Sequence, residues 1–106
     1  MALIGVYSLQ GRTRVNRVVQ LSVYYNADAG NSDAFCNNAG NTLITIYTPT
    51  YTTLANIFNA GANIYTNSSL TTLASSGFYG ITNGGLGNTW YQWTGTTWTG
   101  TGMCAD

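Results

Sequence analysis

The residues best suited to chemistry in this chain are few and unevenly placed. Trp90, Tyr91, Trp93 and Trp98 lie close together, interleaved with Asn88, Gln92 and Thr94. An indole bordered by amides can stack on the apolar face of a sugar ring while the amides bind its hydroxyls; the same rings can instead fill a core or cover a subunit contact. On a strand, Trp90 faces opposite to Tyr91 and Trp93, so at least one ring meets solvent or a partner unless both faces are covered. Arg12, Arg14 and Arg17 hold all the side-chain positive charge. Arg12 and Arg14 share a strand face, from which planar, bidentate contacts can reach an acidic patch on a partner; a solvated arm is the plainer alternative. Cys36 and Cys104 stand far apart and form either a disulfide or two buried thiols acting as small hydrophobes.

What is missing narrows the chemistry further. Histidine, lysine and glutamate are absent, which removes the usual proton shuttles, the commonest metal ligand and the Schiff-base amine. No serine or cysteine has a histidine to activate it, so no catalytic residue is assigned and the chain reads as a non-enzyme. Two cysteines without histidine do not complete a zinc set, and Asp28 and Asp33 are too few carboxylates for calcium. They suit loop capping, and neither a metal nor a cofactor is expected. The glycines of 83–87 carry no lysine and lead into no helix, so they are turn residues rather than a phosphate cradle, with Asn83-Gly84 fitting a type I′ hairpin turn. Net charge is zero, which speaks against nucleic acid and against strong attraction to an anionic membrane.

The 106 residues allow one domain with one modest core. Threonine, asparagine, serine and glycine dominate, so solubility rests on hydroxyls and amides, and a neutral surface of this kind associates readily. The amino terminus lacks a basic start and a small-residue cleavage site, and no window is long and apolar enough to cross a bilayer, so neither an export signal nor membrane insertion is expected.

Composition divides the chain into an arm with a first strand over 1–26 and a Cys-framed β-module over 27–106. Val19, Leu21, Val23 and Tyr25 fall on one strand face and Val18, Gln20, Ser22 and Tyr24 on the other. Residues 26–41 are rich in turn formers and read as a loop, and 42–48 read as a strand ended by Pro49. Leu54, Ile57 and Phe58 at helical spacing, with a threonine before and Gly61 after, predict a short helix over 52–59. Runs at 63–66, 77–80, 89–94 and 97–99, separated by turn residues, predict strands joined by tight hairpins. The expected fold is all-β: a small antiparallel module, sandwich-like or hairpin-rich, preceded by an extended arm.

The run Phe35-Cys36, Tyr47-Thr48, the string from Gly61 through Ile64-Tyr65-Thr66-Asn67 to Thr72, Gly77-Phe78-Tyr79-Gly80, Trp90-Tyr91-Gln92-Trp93 and the closing Cys104 resemble short cysteine-framed β-modules. Such modules are associated with surface proteins of Bacteroidetes bacteria and with structural proteins of their phages. Asn67 stands where that pattern often has aspartate. The resemblance covers roughly 34–104 and implies an appended, non-catalytic module with no transferable active site. Together with the missing export signal it points to a virion protein, made in the host cytoplasm and extracellular once assembled: a spike, fibre-base or decoration protein. Its expected partners are other virion proteins and copies of itself, reached through the arm. The alternative is a module binding a host surface glycan or receptor through Trp90, Tyr91, Trp93 and Trp98; a secreted scaffold is disfavoured.

Overall fold

Alternation along the first strand sets the architecture. In the computed structural model, which describes residues 18–27 and 31–105, β1 (Val18–Asn26) points Val19, Leu21, Val23 and Tyr25 to one side, with Val23 fully buried. The arm at 1–17, including Arg12, Arg14 and Arg17, lies outside the described residues, as does Asp28. β2 (Thr42–Pro49) runs antiparallel to β1, with Leu21 opposite Ile46 and Val23 opposite Ile44, so these four apolar side chains share a face. β3 (Gly77–Gly80), β4 (Thr89–Trp93) and β5 (Trp98–Met103) complete one antiparallel sheet in the order β2-β1-β3-β4-β5. The expected β class is observed, as a single sheet rather than a sandwich of two. β1, which composition groups with the preceding arm, lies between β2 and β3 inside that sheet.

The first face is covered by a helix and an irregular strap. α2 (Leu54–Ala60) begins where the Thr53 hydroxyl accepts the Asn56 N–H at 3.1 Å and ends at Gly61, whose φ of 68° suits a residue without Cβ. Its Leu54 and Ile57 join Val23, Ile46, Ile64, Ala74, Tyr79 and Trp93 in the main core. The expected strand at 63–66 does not form. Tyr65 makes only isolated bridges to Tyr47 and Leu73, and the strap is held by local bonds instead: Asn67 Oδ1 accepts the N–H groups of Thr71 and Thr72, each at 3.1 Å. That acceptor role is one that an aspartate fills equally well.

Among the described residues, the second face is covered at one end only. There Phe35, Phe78 and Cys104 form a smaller core, with Tyr24, Cys36 and Trp90 packed around it. The segment read as a loop over 26–41 contains α1 (Asp33–Cys36), one turn long and too short to leave a periodic signature. Buried Asn26 draws this segment down: its Nδ2 donates to the Ala39 carbonyl at 3.0 Å and to Asn41 Oδ1 at 2.8 Å, while Asn41 donates to the Phe35 carbonyl at 2.8 Å.

The connection between β3 and β4 is not the two-residue hairpin expected from Asn83-Gly84. It spans 81–88, and the left-handed residues are Gly84, Gly85 and Gly87, not Asn83, so the type I′ condition of two consecutive positive φ values at 83 and 84 is unmet. Tertiary bonds explain the difference. Gly85 donates to the Cys36 carbonyl at 2.9 Å and Gly87 to the Cys104 carbonyl at 2.8 Å, which folds the loop over the second face. No described helix is long and apolar enough to cross a membrane.

Candidate functional site

The two faces of β4 part the aromatic group. Tyr91 and Trp93 turn toward the main core and Trp90 toward the smaller one, as strand alternation requires. Trp93 is buried, its indole N–H donating to the Ala74 carbonyl at 3.0 Å, and Trp98, across the strand pair, donates to the Ala62 carbonyl at 2.7 Å. Both bonds pin the strap at 62–74 to the sheet. Trp98 lies 4.9 Å from Trp93, 5.8 Å from Phe58 and 6.2 Å from Tyr79, ring centre to ring centre, and Tyr91 lies 5.2 Å from Phe58. These three rings hold α2 and the strap in place. The platform of four rings expected from sequence is therefore divided, with Trp93 inside the core.

Trp90 stands apart. Its ring meets Phe78 edge-on at 5.3 Å and an 86° angle, and it overlies the β5 backbone at Gly102 and Gly100. Gln92 shares that face of the sheet, opposite Gly100. Trp90 is half-buried, so the exposed part of its ring, the Gln92 amide and the side-chain-free strip of β5 form one flat patch. Placing an aromatic side chain over edge glycines shields backbone that would otherwise face water.

Among the described residues, Tyr79 is the one group with a strongly displaced proton affinity. Burial pushes its phenol well above the ordinary value of 10.0, and neighbouring Tyr25, 4.9 Å away ring to ring, adds to the rise. The phenol donates to the Ser75 carbonyl at 2.5 Å. It faces the core, locked in its neutral form, and serves as another tie to the strap.

Cys36 and Cys104 are joined as a disulfide with Cα atoms 5.4 Å apart, which settles the alternative left open by the sequence. Beside the bond lies a hollow of about 240 Å³ lined by Cys36, Asn37, Leu86, Cys104 and Ala105. No ionisable side chain among the described residues lines it. Asp33 sits exposed in α1, where its own N–H donates to Asn31 Oδ1, and no side-chain cap bond is made at that helix start. No group of three or more His, Cys, Asp or Glu side chains comes together among the described residues. Comparison with family models, with curated proteins and with solved structures finds no match to this chain.

Sequence reasoning missed the amides of Asn26 and Asn41 and the loop at 81–88 as the devices that frame the second face. The one available signal was the density of asparagine and glycine on either side of Cys36 and before Thr89.

Proposed function

We propose that the chain is a non-catalytic structural protein of a phage virion, a spike, fibre-base or decoration protein, joined to its neighbours through the N-terminal arm. The observation that carries this is a segregation of charge. Residues 1–17 contain Arg12, Arg14 and Arg17 and no carboxylate, whereas everything after residue 17 contains Asp28, Asp33 and Asp106 and no lysine or arginine. A cationic arm attached to an anionic module is complementary to the module of the next copy, and opposite charges at that contact favour encounter and fix orientation. The cysteine-framed strings that resemble phage structural modules support the placement in a virion. The disulfide and the tied loops suit a module that must hold its shape outside a cell.

The test is protein mass spectrometry of purified phage particles, followed by deletion of residues 1–14 in the phage genome. The chain is expected at a fixed copy number, with the deletion removing it from particles while leaving soluble protein in the lysate. Full incorporation of the truncated chain would remove the docking role.

A second reading, binding of a host surface glycan, is favoured by the flat patch of Trp90, Gln92 and the β5 glycines. On a glycan array, Trp90→Ala should abolish any signal that Trp98→Ala, on the other face of the sheet, leaves in place.

A further inference from the structure

Among the described residues, β1 has an unpaired flank inside the sheet. Tyr47 of β2 directs both its N–H and its C=O outward, to Tyr65, each bond 2.8 Å, so it does not bond Gln20, the residue facing it on β1. Backbone groups alternate sides along an antiparallel strand, and Gln20, Ser22, Tyr24 and Asn26 therefore direct theirs toward β3. β3 is short. It meets β1 only from Tyr24 to Asn26, and the chain leaves the sheet at Ile81, which is 59% exposed. Among the described residues nothing pairs with the backbone of Gln20 and Ser22 on that side. The side chains beside this gap are incompletely covered too: Val19 and Leu21 are half-buried on the first face, and Val18 is 42% exposed.

Resting on the assembly reading above, we infer that this gap is an acceptor groove for an added strand, filled by residues 3–9 of a second copy of this chain. The segment Leu3-Ile-Gly-Val-Tyr-Ser-Leu9 alternates Leu3, Gly5, Tyr7 and Leu9 with Ile4, Val6 and Ser8, so either set offers at least two large apolar side chains to Leu21. It contains no proline, so every residue supplies the N–H and C=O that pairing with Gln20 and Ser22 needs. Charge decides between the two sources of the segment. Folding back onto its own β1 would crowd Arg12, Arg14 and Arg17 into the turn at 10–17, with no carboxylate before Asp28. Crossing to a neighbour lets that stretch run extended over a module whose charged side chains are all acidic.

The experiment is amide hydrogen exchange with light-scattering mass on the full chain and on Val6→Pro, which removes one N–H from the donor segment. In the unaltered chain the Gln20 and Ser22 amides should exchange at least roughly 100-fold slower than unstructured amides, in a species heavier than one chain. Val6→Pro should return both to fast exchange and the mass to one chain. Leu21 and Val23, bonded to β2, must stay protected in both proteins, which separates loss of the added strand from loss of the fold. Fast exchange at Ser22 in the unaltered chain overturns the inference, as does slow exchange in a species of single-chain mass. Particle content is read separately: incorporation with an unprotected Ser22 sinks the groove and spares the virion role, and a protected Ser22 in multimers absent from particles does the reverse.

Discussion

A methyl group on residue 102 would come within 2.7 Å of the Trp90 indole, at Cζ2, so the ring rests where only glycine leaves room. Position 100 is different, because a Cβ there would stay 4.0 Å from both Trp90 and Gln92. Gly102→Ala is expected to cost about 1–3 kcal/mol through overpacking, while Gly100→Ala stays within about 0.5 kcal/mol. Urea denaturation of the two variants side by side checks this, and equal midpoints would remove Trp90 from its role as a shield for β5.

The disulfide closes a loop of sequence separation 68. Chain-entropy arithmetic gives it up to about 4.4 kcal/mol, an upper figure because residual structure in the unfolded chain reduces it. Adding reductant, or replacing both cysteines with alanine, should lower the denaturation midpoint by a matching amount. An unchanged midpoint would mean that Phe35, Phe78 and the 81–88 loop hold the second face by themselves.

Replacing Trp93 or Trp98 with phenylalanine keeps a ring but removes the donor to the Ala74 or Ala62 carbonyl. Each change should cost about 1–3 kcal/mol for the orphaned carbonyl, with a further loss for the missing volume at the fully buried Trp93. Thermal unfolding ranks them, and Trp93→Phe should melt lower.

Tyr79 gives the pH dependence a sign. Its folded phenol holds the proton more tightly than the unfolded one, so its contribution is complete below the ordinary value of 10.0 and falls as pH climbs above it. Stability measured from pH 8 upward should bend down near 10, and Tyr79→Phe should flatten that bend relative to its own neutral-pH value. Parallel curves for the two proteins would assign the alkaline loss elsewhere.

How much of this was legible follows from how local each cause is. β1, β2 and α2 stand within a few residues of expectation because period-two alternation and a Thr53 to Gly61 capping pair are written in adjacent positions. The opposition of Trp90 to Tyr91 and Trp93 was also readable, since it needs only the pleat. Which ring ends up buried was not, because α2 and the strap decide that from more than fifteen positions away, through carbonyls such as Ala74. The strap itself misled, since its strand-like composition at 63–66 is satisfied by isolated bridges from Tyr65 to Tyr47 and Leu73 and by bonds within the strap, such as Thr66 to the Thr72 carbonyl, instead of a ladder. α1 and the turn at 83–84 were lost for the same reason: Asn26, Asn41 and the two cysteine carbonyls shape them across the fold.

The bond between Cys36 and Cys104 also changes what happens when the molecule is pulled. Tension applied at residues 18 and 105 enters through β1, reaches Cys36 and passes directly across sulfur to Cys104, leaving the whole stretch from β2 to β5 out of the path. The chain can then lengthen to only about 70 Å between those points, against about 300 Å if the bond were reduced. A module wired in this way stays short under shear, and a reducing environment would turn the same polypeptide into a long tether.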